Sequence, residues 1–330
     1  MTFGSNVHIL ENRLLKVVIL PDNGGKLASI KCQRTEAEFL WSGSRYERVA
    51  DFGPLARFEE SDCAGWDECL PTVSASVPLA GADSAPDHGD FWRFPWNVLS
   101  KNRPNEITLE ANGFSRPLRF RKRISLEANE LTISYEIENT GNSRVEILYA
   151  SHPLFCIHAE DEIVLPSEIT ALTLLESRGN RIGAPGDTVS WPLHCYDGFT
   201  FDLQTVGQVT DRTAEMLYSG HLTRGVAGLY RKSSGHGLML RFATTDLPYL
   251  GLWLCCGGWP ENDHLSSRQY ALAFEPTTAP RGSLSDAIRA SQARALGVGE
   301  VFSFSLRLSI VGCENEMTGQ QFREVCAASS

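Results

Sequence analysis

From Leu131 to Glu138 the chain alternates apolar and polar positions: Leu131, Ile133, Tyr135 and Ile137 share one parity, Thr132, Ser134, Glu136 and Glu138 the other. A period of two places the apolar set on one face, so the segment predicts a strand in a sheet with one buried side. Just upstream, Leu118, Phe120, Ile124 and Leu126 also share a parity, and Glu127-Ala128-Asn129-Glu130 can turn the chain between the two runs to make a hairpin. The cleanest alternation comes late, with Phe302, Phe304, Leu306, Leu308 and Ile310 separated by Ser303, Ser305, Arg307 and Ser309. Shorter strands are expected at Leu15 to Leu20, Ala28 to Cys32, Glu106 to Ala111, Val145 to Tyr149, Gly237 to Phe242 and Tyr249 to Leu254.

Helical signals are few. Ser285 reads as an N-cap for a helix running through Asp286 and Ile288 to Leu296, with Gly297 placed to stop it, and a short helix is expected around Gln320 to Ala328. Loops rich in Gly and Pro are expected at Ser74 to Pro86 and Gly179 to Pro192. Many strands and few short helices predict an all-β antiparallel sandwich or barrel, not alternating βαβ units. No linker or repeat interrupts the 330 residues, so one domain is expected across 1–330.

Composition narrows the functional classes. With 42% hydrophobic and 21% charged residues the chain can build a large core. A formal net charge of −10 argues against a nucleic-acid partner, since that affinity rests on Lys and Arg neutralising phosphates. Nine cysteines, an odd number without regular extracellular spacing, read as reduced thiols of a cytoplasmic protein. Met1 to Lys16 holds no apolar run of secretory or membrane-spanning length, so no membrane association is expected.

Several chemistries lack their motifs. There is no Gly-x-Gly-x-x-Gly, no Gly-Lys-Ser/Thr phosphate loop, no His-Glu-x-x-His and no Gly-x-Ser-x-Gly. Cys255 and Cys256 are adjacent and have no second Cys/His pair of ligand spacing nearby, so no metal and no cofactor are expected. Three separated stretches remain: Asp87-His88-Gly89-Asp90-Phe91-Trp92, Ser151-His152-Pro153-Leu154-Phe155 and Phe274-Glu275-Pro276. They supply two imidazoles and a carboxylate, enough to move protons on and off a neutral polyol. His152 is expected at the end of a strand that Pro153 terminates, and Glu275 at the end of an apolar strand, where partial desolvation raises its pKa. Taken singly, each has an ordinary reading: a solvated loop histidine, a buried histidine satisfied by backbone, a surface glutamate.

Their surroundings resemble the aldose 1-epimerase (galactose mutarotase-like) family. The resemblance runs from about Asn6 to Val311 and includes Leu20-Pro21-Asp22-Asn23-Gly24-Gly25-Lys26, Gly65-Trp66-Asp67-Glu68-Cys69-Leu70-Pro71-Thr72, Gly251-Leu252-Trp253 and Asp286-Ala287. It implies a large single-domain β-sandwich that interconverts the α and β anomers of a sugar. By that resemblance Glu275 is the general base, His152 the general acid and His88 an assisting histidine. The usual Gly-Arg-x-x-Asn-Arg segment is missing, which leaves Arg57 and Arg93 as the nearest basic candidates for substrate binding. A Phe-Asp-His motif is also missing, and Asp197, Asp202 and Glu215 compete for the place of the family's substrate-binding Asp, with Asp202 carried forward. Asp67 and the aromatic candidates Trp66, Trp92, Trp253 and Trp259 complete the expected binding set. The short stretches around these residues are acidic, not basic, so an unphosphorylated aldose is the expected partner. A silent sugar-binding or regulatory module, or a related isomerase, lyase or hydrolase acting on a modified sugar, remains the alternative.

Overall fold

The computed structural model describes residues 6–42, 56–78, 84–260 and 268–329. Part of the expected loop from Ser74 to Pro86 lies outside these residues.

The alternating segments become neighbours in one sheet. Leu118–Glu127 and Glu130–Asn139 form the expected hairpin, and Val301–Val311 pairs on the other side of Glu130–Asn139. This eight-stranded sheet continues through His236–Phe242, Val226–Arg231 and Glu162–Val164 at one end, and through Glu106–Asn112 and Asn97–Arg103 at the other. A ten-stranded sheet lies against it, in the order His8–Glu11, Leu15–Leu20, Lys26–Cys32, Trp66–Cys69, Ala150–Cys156, Tyr270–Thr277, Tyr249–Cys256, Thr213–Tyr218, Ala171–Ser177 and Thr188–Ser190. Every ladder between these strands is antiparallel.

One apolar cluster fills the space between the sheets, with Phe120, Ile133, Leu306 and Leu308 from one side and Trp66, Phe155, Leu252 and Phe274 from the other. The parity that predicted the strands is the parity of burial, as expected where only one face is dry. Lys122 shares the buried parity of Phe120 and Ile124. It reaches Glu68 of the other sheet at 3.6 Å, and Glu68 also accepts the hydroxyls of Tyr135 and Tyr149 at 2.8 Å.

Three expectations need correction. The first helix is capped by Ser283, whose Oγ accepts from Asp286 N, and it spans only Leu284–Arg289. Ser291 then takes a left-handed φ of 54°, and Arg294–Leu296 is a strand paired with Val145–Ile147. A tertiary ladder therefore claims the residues that the cap and stop signals had assigned to the last turns. Second, Val145 to Tyr149 does not run continuously into His152: Val145–Ile147 and Ala150–Cys156 belong to different sheets, and Pro153 lies inside the second strand. Third, the expected loop from Gly179 to Pro192 contains the strand Thr188–Ser190 at the sheet edge. The second helix, Gly319–Ala328, occupies its expected place.

Candidate active site

The ladder between Ala150–Cys156 and Tyr270–Thr277 pairs Ala150 with Thr277 and Leu154 with Ala273, while the three residues between on each strand are unpaired. The same register sets His152 opposite Glu275. Two prolines explain the gap. Leu154 N–H turns toward Gly65 on the far side, so the neighbouring Pro153 faces the Glu275 strand and has no N–H to give, and Pro276 interrupts the same stretch. Residues opposite each other in an antiparallel pair project to one face. His152 Nε2 accordingly lies 3.8 Å from Glu275 Oε1. The row extends to Asp67, paired with His152, and to Gly251 and Tyr218 beyond Glu275.

This face of the ten-stranded sheet points away from the main core. A second apolar cluster covers it, built from Phe58, Trp92, Leu154, Ala271 and Ala273, with Trp41, Trp253 and Trp259 packed alongside. Burial sets the protonation of the pair. It pushes the Glu275 carboxyl up to about 8. It also holds the His152 imidazole well below its ordinary value, with the nearby His88 and Lys26 acting in the same direction. Near neutral pH the pair therefore keeps one proton, on Glu275, with a lone pair on His152.

His88 comes over the sheet on a strained loop. Its own φ is 56° and that of Gly89 is 74°, and a Cβ on Gly89 would meet the Leu70 carbonyl oxygen at 2.0 Å. The loop closes there because Asp90 N donates to that same Leu70 carbonyl. Phe58 stacks on the His88 ring at 4.1 Å and meets the His152 ring edge-on at 5.1 Å; the two imidazoles are 5.0 Å apart. Asp87 Oδ1 is 3.0 Å from His88 Nδ1. Burial pushes the Asp87 carboxyl up, but the hydrogen bond and charge of His88 outweigh it, so the group stays below its ordinary value. An ionised Asp87 accepts the Nδ1 proton and leaves Nε2 of His88 available.

The cleft over this pair has a volume of about 190 Å³, small beside the roughly 300–1,000 Å³ of pockets for drug-sized ligands. His88, His152, Glu275 and Trp253 line it, as does Trp259. The remaining expected binding residues do not. Trp66 faces the main core, where its Nε1 donates to Ser151 Oγ, because it stands one residue out of phase with Asp67, which shares the face of His152. Trp92 Nε1 and Arg93 Nη2 both donate to the Asp87 carbonyl, so these two buried side chains hold the His88 loop in place from beneath. Asp67 is buried against Lys26 at 3.0 Å, and burial raises its carboxyl to about 7 against the pull of Lys26. Arg57 is exposed and paired with Glu59. Asp202 sits on the hairpin of Leu193–Tyr196 and Phe199–Asp202, where Oδ1 caps Gln204 N and Thr205 N. Glu215 points to the opposite face from Met216 and Tyr218 and pairs with Arg181 at 2.9 Å.

The structure adds Phe58, Met216, Tyr218, Gln269 and Glu176 to the lining. Gln269 Oε1 accepts from Trp253 Nε1 at 2.5 Å, which fixes the indole. Glu176 reaches the cleft because the register of its strand shifts between Leu174 and Glu176. A bulge of this kind leaves no periodic trace, so sequence reasoning had no route to Glu176. Cys69 Sγ and one ring nitrogen from each of His88 and His152 lie within 4.8 Å of one another. Burial, with the acidic neighbours Glu275 and Asp67, pushes the Cys69 thiol well up, and the two histidines of this trio belong to the acid–base cleft.

No protein-family model and no curated protein matches the sequence. Solved structures do match along nearly the whole chain. The Slr1438 protein from Synechocystis sp. PCC 6803 is 17% identical with a TM-score of 0.67, over 94% of this chain and 98% of that one. A galactose mutarotase-like protein from Lactobacillus casei ATCC 334 is 16% identical with a TM-score of 0.65, over 92% and 100% of the two chains. The fold is that of the galactose mutarotase-like proteins. A putative aldose 1-epimerase from Escherichia coli K12 shares it at 16% identity and a TM-score of 0.66, over 92% of this chain and 98% of that one. The resemblance drawn from the sequence thus holds for the architecture.

Proposed function

We propose that this protein is an aldose 1-epimerase acting on an unphosphorylated monosaccharide. The observation that carries the reading is the His152–Glu275 pair, 3.8 Å apart on one face of the sheet and lining one cleft, with burial raising the carboxyl and lowering the imidazole. Ring opening needs one group to take the proton of the anomeric hydroxyl and another to give a proton to the ring oxygen. When Glu275 is the base and His152 the acid, the proton that rests on Glu275 first passes to His152; Glu275 then takes the proton of the anomeric hydroxyl as His152 gives its own to the ring oxygen, and the step ends with the proton back on Glu275. Rotation of the free aldehyde exposes its other face, and closure with the roles exchanged returns the pair to its starting state with the other anomer. No metal, nucleotide or redox cofactor enters these steps. Each positioned proton-transfer group typically contributes roughly 10²- to 10⁴-fold.

His88, oriented by Asp87, is within reach of the same sugar and is assigned to hold a ring hydroxyl. Trp253 and Trp259 offer apolar faces to the ring. Glu176 is the acidic lining residue available to accept sugar hydroxyls, in place of Asp202. No Lys or Arg side chain lines the cleft among the described residues, which supports a neutral substrate, since phosphate is usually held by guanidinium or ammonium groups. The test is anomer exchange of free hexoses and their 6-phosphates with wild type and Glu275→Gln. The expected result is turnover of the free sugar, preference for it over the phosphate, and a loss of at least about 10²-fold in the variant. Undiminished turnover by Glu275→Gln would remove this carboxyl from the chemistry.

A further inference from the structure

A larger cavity, about 650 Å³, shares no lining residue with the cleft, and Cys313, His236, Arg34 and His158 are among the residues that line it. At its wall three groups from distant parts of the chain converge. Cys32 closes the strand Lys26–Cys32 of the ten-stranded sheet. His236 opens His236–Phe242 of the eight-stranded sheet, and Cys313 follows Val301–Val311 of that sheet. The two Sγ atoms and one ring nitrogen of His236 all lie within 4.8 Å of one another. Burial alone accounts for a cysteine, which packs like a small apolar side chain. It does not account for His236, which is 3% exposed and whose Nε2 has no hydrogen-bond partner. The other ring nitrogen, Nδ1, lies 2.6 Å from Ser234 Oγ. A metal-ligating imidazole is commonly held in this way, with one nitrogen tied to an oxygen and the other left for the ion.

We propose that Cys32, His236 and Cys313 form a binding site for a thiophilic divalent cation of the zinc class. Bonds of about 2.3 Å to sulfur and about 2.0–2.1 Å to nitrogen require ligand atoms roughly 3.5–3.8 Å apart in a tetrahedron. Side-chain rotation of about 1 Å closes the trio to that size. On binding, both thiols release their protons to solvent, the neutral imidazole donates a lone pair, and two thiolates balance the dication. The fourth position opens toward the cavity, where water or a small ligand completes the shell. The cation would join the two sheets at this end of the sandwich, at a site separate from the acid–base pair.

The experiment uses the reduced, metal-stripped full chain and Co²⁺ as the probe. The expected result is one equivalent of Co²⁺ bound with thiolate-to-cobalt charge-transfer absorption and the strong visible bands of a tetrahedral site, displaced by Zn²⁺. Cys313→Ser and His236→Gln should each weaken binding at least about tenfold, as losses of single ligands or their support do. Zn²⁺ at a hundredfold excess over Kd should raise Tm by about 4 °C in wild type. Peptide-resolved alkylation of wild type needs no variant: Zn²⁺ should protect Cys32 and Cys313 and leave exposed Cys195 reactive. Absence of charge transfer, or protection of Cys255 and Cys256 in place of the Cys32–Cys313 pair, would overturn the proposal.

Discussion

Glu275 shows what burial does to one carboxyl. Its pKa rises to about 8 because the charged form loses its water at 2% exposure, and no cation compensates among its causes. The singly protonated His152–Glu275 pair is the form that both assignments of acid and base require, so the pH profile tests the pair as a unit. We expect kcat/KM to fall about tenfold per pH unit above about 8, where the pair loses its proton, and to fall again on the acid side once His152 is protonated, below its ordinary value. A profile flat through pH 9 would contradict a shared proton. The same shift is a statement about stability. A folded-state pKa raised from 4.5 to about 8 means that stability is fully present below about 4.5 and is lost as pH rises through about 8. The loss amounts to a few kcal/mol, at about 1.4 kcal/mol for each tenfold change in proton affinity. Glu275→Gln removes that loss, so its Tm should exceed that of wild type at pH 9 and the advantage should vanish near pH 4. Thermal melts at the two pH values check the sign.

At the scale of elements, the site depends on where regular structure is interrupted. Pro153 and Pro276 open one ladder so that the acid–base pair faces the cleft, and a register shift turns Glu176 toward it. The His88 loop depends on a glycine. Gly89→Ala would drive a methyl group into the Leu70 carbonyl at 2.0 Å and force an alanine to φ 74°. We expect a loss of about 2 kcal/mol or more, read from the denaturant midpoint. Folded Gly89→Ala should also show a larger loss in kcat/KM than a surface substitution of equal stability cost, because the loop must shift His88. The first helix teaches the complementary lesson. Ser285 as an N-cap and Gly297 as a stop predicted a helix to Leu296, but Arg294–Leu296 gained a partner strand in Val145–Ile147, and pairing outweighed local propensity.

At the scale of the whole molecule, the two sheets are joined by apolar packing and by a buried charged contact. Lys122 and Glu68 stand on opposite sheets, both essentially without solvent exposure. Removing one partner leaves the other charge buried and uncompensated, at a cost of about 3–5 kcal/mol. Lys122→Met and Glu68→Gln should each incur it, whereas the double variant should recover most of the loss. Additive losses in a double-mutant cycle would show that the contact does not couple the sheets. We propose that residues 1–330 behave as one domain, so these variants should move a single transition seen alike by near- and far-ultraviolet circular dichroism. Among the described residues no helix is long and apolar enough to cross a membrane.

The sequence by itself determined the all-β class, the Leu118–Asn139 hairpin, the late strand from Phe302 to Ile310 and the C-terminal helix. These follow from short-range periodicity and turn chemistry, which act within a few residues. It also singled out His88, His152 and Glu275, because their local contexts resemble those of a known family. Only the tertiary structure decided which faces these residues share. Trp66 and Asp67 are neighbours in the chain, yet one lies in the core and the other on the face that carries His152 and Glu275, because alternate residues of a strand point to opposite sides. Cys32, His236 and Cys313 have no spacing that a motif could capture, and they meet because the ends of strands from two sheets converge. Register, sheet order and inter-sheet contact depend on the whole chain packing at once, which no local pattern encodes.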